Sequence, residues 1–165
     1  VWDQNSWSVA TSSMAAHFEA LAVDWLLQLL NLPTGASGVL CGGCTVANVI
    51  ALAAARDEVL REHGWDIGKQ GLLAAPPITV YVGDEAHGSI AKALRIVGIG
   101  EHNVVRLRTN SQGAVRGDVL DWDAPPQSPS IVVLQAGHVN TGAFDDFSTV
   151  IKWARSGGGS GSGSG

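Results

Sequence analysis

Ile78-Thr79-Val80-Tyr81-Val82, then Gly83-Asp84-Glu85-Ala86-His87-Gly88, then Ser89-Ile90-Ala91-Lys92-Ala93-Leu94-Arg95-Ile96-Val97 is the stretch on which the fold turns. The first five residues are rich in β-branched side chains and suit a strand buried on both faces. The middle six are polar and bounded by glycine. The last nine read as a helix, stopped by Gly98 and Gly100. Val104-Val105-Arg106-Leu107-Arg108 predicts a second such strand, followed by polar residues 110–113. Ile131-Val132-Val133-Leu134 predicts a third, ending in Gln135-Ala136-Gly137-His138. Apolar strands that alternate with helices predict the α/β class, with a mostly parallel sheet and helices on both of its faces.

Upstream, Met14, Phe18, Leu21, Ala22, Trp25, Leu26, Leu29 and Leu30 recur at three and four residues, the period of an amphipathic helix over residues 12–32. Pro33 and Gly35 stop it. Gly38-Val39-Leu40 predicts a strand or extended segment feeding Cys41-Gly42-Gly43-Cys44-Thr45, and alanine-rich residues 46–61 predict another helix. Residues 64–70 read as a polar connection and Pro76-Pro77 as a breaker. In parallel sheets ligands bind beyond the carboxyl ends of the strands. Residues 41–45, 83–88 and 135–141 are therefore expected to converge on one site.

Composition narrows the partners. The 165 residues are 45% hydrophobic, enough for a buried core and too apolar for a disordered chain. The formal charge is −5, and the 10 Lys and Arg form no run that could track a phosphate backbone, which argues against nucleic acid. No apolar stretch reaches the length of a membrane span. Val1-Trp2-Asp3-Gln4-Asn5 lacks the basic region of a secretion signal, so a cytoplasmic location is expected. Cys41 and Cys44 are the only cysteines and make no disulfide framework.

Several residues invite a chemical reading, each with an ordinary alternative. Gly42-Gly43-Cys44-Thr45 at a helix start suits an anion, because glycine admits close approach and unpaired helix N–H groups point outward. It also suits a plain turn in which Thr45 caps the helix. Cys41-x-x-Cys44 ahead of a helix is the pattern of a thiol oxidoreductase. The two glycines between the cysteines do not resemble that family's proline-containing turn, and no further Cys or His group completes a metal site. His87 and His138, each just past a strand, suit a general base, a stacking ring or a satisfied turn residue. Asp84, Glu85, Asp145 and Asp146 read most simply as helix caps and solvated loop charges.

Taken together, these residues resemble the group II pyridoxal-phosphate-dependent amino-acid decarboxylases, the family of aromatic amino-acid and glutamate decarboxylases. The resemblance runs through Ser12-Ser13-Met14-Ala15-Ala16-His17-Phe18-Glu19 with Asp24-Trp25-Leu26, Gly42-Gly43-Cys44-Thr45-Val46-Ala47-Asn48, and Asp84-Glu85-Ala86-His87-Gly88-Ser89-Ile90. It ends in Ala136-Gly137-His138-Val139-Asn140-Thr141-Gly142-Ala143-Phe144-Asp145. The sequence departs from the family at His138, where Thr is usual, and at Met14 and Ala16 in the N-terminal motif.

The resemblance implies a truncated fold type I large domain over residues 1–155, with residues 1–11 as an extended N-terminal segment, whereas residues 156–165 read from their composition as a Gly/Ser linker or tag. It implies pyridoxal 5'-phosphate as cofactor, with the phosphate at Gly43, Cys44 and Thr45, the ring stacked on His87, and His138 as a further cofactor contact. It also implies an amino-acid substrate and a homodimer for the parent enzyme. In the family, the Schiff-base lysine and the aspartate at the ring nitrogen follow the segment matched here. Lys152 falls in what should be a surface helix, so this chain is expected to be inactive alone. The strand before the glycine turn would lack its neighbours, and the chain is expected to be unstable, rearranged, or completed by a fused or complementing polypeptide. A non-catalytic engineered module is the alternative from another class.

Overall fold

A computed structural model of the chain describes residues 9–127 and 129–157. The chain divides into two compact units, Val1–Gly42 and Gly43–Gly165. In the first unit, α1 spans Ser13–Leu29, as the apolar period predicts. It ends where Leu30 N–H donates to Leu26 O at 2.9 Å and Asn31 takes φ 49°, a left-handed residue that asparagine tolerates better than most. No residue of α1 is buried. Residues 36–41 form neither helix nor strand, so of the two readings of Gly38 to Leu40, strand or extended segment, the strand does not form. A strand is held by a neighbour that takes up its N–H and C=O groups, and the sheet formed among the described residues, β2-β1-β3, does not include Gly38 to Leu40. Most of the expected extended segment, residues 1–8, lies outside the described residues, and residues 9–11 form a turn.

The second unit carries α2 (Cys44–Glu62), α3 (Ile67–Gln70), β1 (Thr79–Gly83), α4 (Gly88–Ile96), β2 (Val104–Leu107), β3 (Ser130–Val133) and α5 (Phe147–Ser156). α3 corrects the reading of residues 64–70 as a mere connection. Asp66 caps it, its carboxylate accepting from Lys69 N–H at 3.3 Å. α5 closes on Ser156, the first residue of the Gly/Ser tract, and residues 158–165 of that tract lie outside the described residues.

The sheet is parallel throughout, in the order β2-β1-β3, with Val80 beside both Val104 and Ile131. β1 is thus the central strand, which is why its residues are apolar on both faces. Alternation sends Val80 to one side, into a core with Leu52 and Leu60 of α2 and Ala93 and Leu94 of α4. Tyr81 goes to the other, beside Val132, where Val150 and Trp153 of α5 pack. The Tyr81 and Trp153 rings meet edge to face, centroids 5.5 Å apart at 90°, the geometry favoured by their quadrupoles. Trp153 Nε1 donates to Asp121 O at 2.7 Å, so its buried N–H is satisfied. Helices cover both faces, as the α/β reading requires.

α2 and α4 lie side by side on one face and are joined by polar contacts. Asn48 Nδ2 donates to Ser89 Oγ at 3.0 Å, and the Arg56 guanidinium donates to Val97 O. Among the described residues no helix is long and apolar enough to cross a membrane.

Candidate functional site

A cavity of about 450 Å³ opens at the carboxyl ends of β1 and β3, the position at which parallel sheets take ligands. Gly83 and Val133 form its floor, Cys44 and Asn48 come from the first turns of α2, and His87 and Ser89 come from the start of α4. Gln135 and Asp145 add polar groups from the segment after β3. The volume lies in the range of small-molecule and cofactor sites.

Cys44, the first residue of α2, brings the start of that helix to the cavity. The helix cap is Gly43, which offers no side-chain acceptor, and the first intrahelical bond is Ala47 N–H to Gly43 O at 3.0 Å. The N–H groups of Cys44, Thr45 and Val46 therefore precede the helix ladder. Thr45 stands inside the helix, which corrects its reading as a cap. It is half-buried and does not line the cavity, nor does Gly43. The space above Gly43 is open, since a Cβ there would meet nothing within 4 Å. Cys44 and Asn48, four residues apart, share the cavity-facing side of α2. Asn48 was legible by that spacing once Cys44 was chosen.

His87 lines the cavity and also caps α4, its Nδ1 accepting from Ser89 N–H at 3.2 Å and lying 2.9 Å from Ser89 Oγ. Its backbone N–H donates to Gln135 Oε1 at 3.3 Å, which ties the β1 and β3 loops together. The ring is exposed, so capping leaves its faces available. His87 is thus a satisfied turn residue whose ring borders the cavity.

His138 is placed differently. It is buried, its Nδ1 accepts from Asn140 N–H at 3.3 Å, and its Nε2 lies 3.4 Å from Glu85 Oε2. Its neighbours Gly137 and Val139 line the cavity while His138 itself does not. The ring is accommodated only because residue 113 is glycine. A Cβ there would stand 2.7 Å from the imidazole, and φ is +75°.

Asp145 is the main correction to the acidic residues. It is buried, not solvated, and its two oxygens accept from Val115 N–H at 2.8 Å and Gln135 N–H at 2.7 Å. It thereby holds the segment after β3 against the loop before Arg116. Asp146 does cap α5, accepting from Thr149 N–H at 3.2 Å. The Thr149 hydroxyl, and next that backbone contact, hold its carboxyl below the ordinary carboxylate range. Asp84 accepts from Thr109 Oγ1 at 2.7 Å. Cys41 and Cys44 are both exposed and form no disulfide. Lys69, Lys92 and Lys152 are all described, and none lines the cavity.

Comparison with known proteins agrees with this architecture. Tryptophan decarboxylase 1 of Oryza sativa subsp. japonica is 34% identical over 112 residues, covering 61% of this chain and 21% of the relative. Tyrosine decarboxylase 2 of Arabidopsis thaliana is 37% identical over 125 residues, covering 72% and 20%. The crystal structure of Oryza sativa TDC with PLP and tryptamine superposes with a TM-score of 0.71 at 26% identity, over 90% of this chain and 32% of that one. The chain thus spans about a fifth of the length of these curated relatives and about a third of the solved chain. The model of the pyridoxal-dependent decarboxylase conserved domain matches residues 3–155, nearly all of the described sequence, and the chain belongs to that family.

Proposed function

We propose that this chain supplies the phosphate cradle and the ring-facing imidazole of a pyridoxal-phosphate-dependent L-amino-acid decarboxylase. The observation that carries the reading is the placement of His87 and of Cys44, the first residue of α2, on one cavity at the carboxyl ends of parallel strands. The residues fit such a cofactor. The N–H groups of Cys44, Thr45 and Val46 would hold a phosphate, helped by the helix dipole and by the open space above Gly43. The exposed face of His87 would lie against an aromatic ring, and Val82, Ile90 and Val133 would exclude water around it. Gln135 sets the backbone at His87, and Asp145 sets the backbone at Gln135. His138, expected as a further cofactor contact, would instead stand behind the cavity wall between Gly137 and Val139, which line it. When bound, pyridoxal phosphate supplies an electron sink for the bonds at the α-carbon of an amino acid.

No lysine lines the cavity among the described residues. The covalent anchor and the acidic partner of the ring nitrogen therefore belong to residues beyond those that form this cavity, in the same polypeptide or in a complementing one. The parent enzyme is a cytoplasmic homodimer in this reading, and the chain alone releases no CO2. Without the covalent link its affinity for pyridoxal phosphate is weak, with a Kd on the order of millimolar.

Calorimetry with pyridoxal phosphate, pyridoxal and inorganic phosphate tests the cradle. Binding of the phosphorylated ligand, with none of pyridoxal at equal concentration, is expected, and equal binding of the two would refute the cradle. An assay for CO2 release from a panel of amino acids tests the rest, and turnover above free cofactor would show that the chain is complete as a catalyst.

A further inference from the structure

Three side chains from two helices form a directed hydrogen-bond chain that ends on the ring of His87. Asn48 Nδ2 of α2 donates to Ser89 Oγ at 3.0 Å, and Ser89 Oγ lies 2.9 Å from His87 Nδ1. The Ser89 backbone N–H also points at Nδ1, at 3.2 Å. An amide nitrogen can only donate, so the serine oxygen is the acceptor of the first bond. Its single proton is then free to go to the imidazole. Nδ1 meets two donors and must present its lone pair, which places the proton of the neutral ring on Nε2. The side-chain contacts of His87 among the described residues are all at Nδ1, and none is made by Nε2.

We propose that Asn48 and Ser89 are positioning residues that hold His87 in its Nε2–H tautomer, with the ring pinned to α4 and one donor left for the ligand in the cavity. Neither residue needs to touch the cofactor to do this, although both border the cavity. Asn48 sets the direction of the chain, because an acceptor at that position would reverse it and draw the serine proton away from the histidine. Ser89 meets the ring twice, its N–H capped by His87 Nδ1 and its hydroxyl orienting the imidazole. The same contacts join α2 to α4, so the element that carries the phosphate donors and the one that carries the ring are held in register. The effect on the cofactor rests on the function proposed above, whereas the tautomer does not.

The test uses the full chain, ¹⁵N-labelled on histidine, at a pH where the ring is neutral. The wild-type chain is expected to show Nδ1 as the lone-pair nitrogen and Nε2 as the protonated one. In Ser89→Ala and in Asn48→Asp the two nitrogens are expected to drift toward the ratio of free imidazole, and Ser89→Thr, which keeps the hydroxyl, is expected to restore the wild-type pattern. Pyridoxal phosphate affinity is expected to fall about three- to tenfold in Ser89→Ala, the loss of one modest hydrogen bond, and to recover in Ser89→Thr. A proton on Nδ1 in the wild type, or an unchanged pattern in both Ser89→Ala and Asn48→Asp, would overturn the proposal. The expected nitrogen pattern with no phosphate-dependent ligand binding would leave the positioning chain standing and sink the cofactor reading. Should Ser89→Ala fail to fold, Asn48→Asp still decides, since it is isosteric, and Ser89→Thr adds only one methyl while it keeps the hydroxyl.

Discussion

The two units of the chain use apolar side chains in opposite ways. In α1 of the first unit, Phe18 is 61% exposed, Trp25 66% and Leu29 80%, although their spacing is that of a core-facing helix. In the second unit, Leu60, Val80 and Trp153 are almost wholly buried, in two cores on either side of the sheet. Periodicity therefore specifies that a helix forms and which of its faces is apolar, but says nothing about what covers that face. The central strand decides the matter for the second unit, because β1 gives each face of the sheet something to bury.

The largest test of this contrast is Trp153→Ala. It removes the ring that packs edge-on against Tyr81 and the Nε1 donor to Asp121 O, and it is expected to destabilise the second unit by about 3–5 kcal/mol in urea denaturation. A loss below 1 kcal/mol would mean that the second core is not packed as described. Asp145→Ala comes next. It leaves the buried N–H groups of Val115 and Gln135 without their acceptor, a loss of about 2–4 kcal/mol, with Asp145→Asn expected to lose less because it keeps one oxygen.

A smaller effect carries a pH signature. The carboxyl of Asp146 is held below its ordinary value of 3.8 by the Thr149 hydroxyl and N–H. A lowered folded value means that the stabilisation is fully present above the unfolded pKa and disappears as pH falls through the folded one. The melting temperature of the wild-type chain should therefore approach that of Asp146→Asn on acidification below pH 4 or so, and stay above it near neutrality. A constant gap across that range would show that the cap does not depend on charge. The smallest effect is expected in the other unit. Leu29→Ala, on an exposed face, should change the stability of the chain by no more than about 0.5 kcal/mol, and a larger loss would mean that the face is covered.

The sequence reveals most where one residue type fills a whole element. Thr79 to Val82, Val104 to Leu107 and Ile131 to Val133 could be placed as strands because little else suits such runs. Pro33, Gly98 and Gly100 marked ends that the structure keeps. The site was legible as a place, the carboxyl ends of those strands, and in two of its members, Cys44 and His87. Its remaining members depend on direction and on distant partners. Asp145 looks like half of a solvated Asp-Asp pair until Val115, thirty residues away, is seen to donate to it. His138 follows a strand as His87 follows β1, yet its ring turns to Glu85 and packs under Gly113, which no spacing rule encodes. Gly38 to Leu40 has strand composition and no strand, since pairing is a property of two segments and the sequence of one cannot supply it.

The central claim is that the second unit holds a cofactor cradle built from the start of α2 and the start of α4. Amide chemical-shift mapping of the full chain, titrated with pyridoxal phosphate and in parallel with pyridoxal, tests it most directly. The expected result is a phosphate-dependent shift concentrated at Cys44, Thr45 and Val46, with ring-dependent shifts at residues 87–90 and none along α1. Shifts spread over exposed lysines and α1, equal for the two ligands and absent from residues 44–46, would contradict the account.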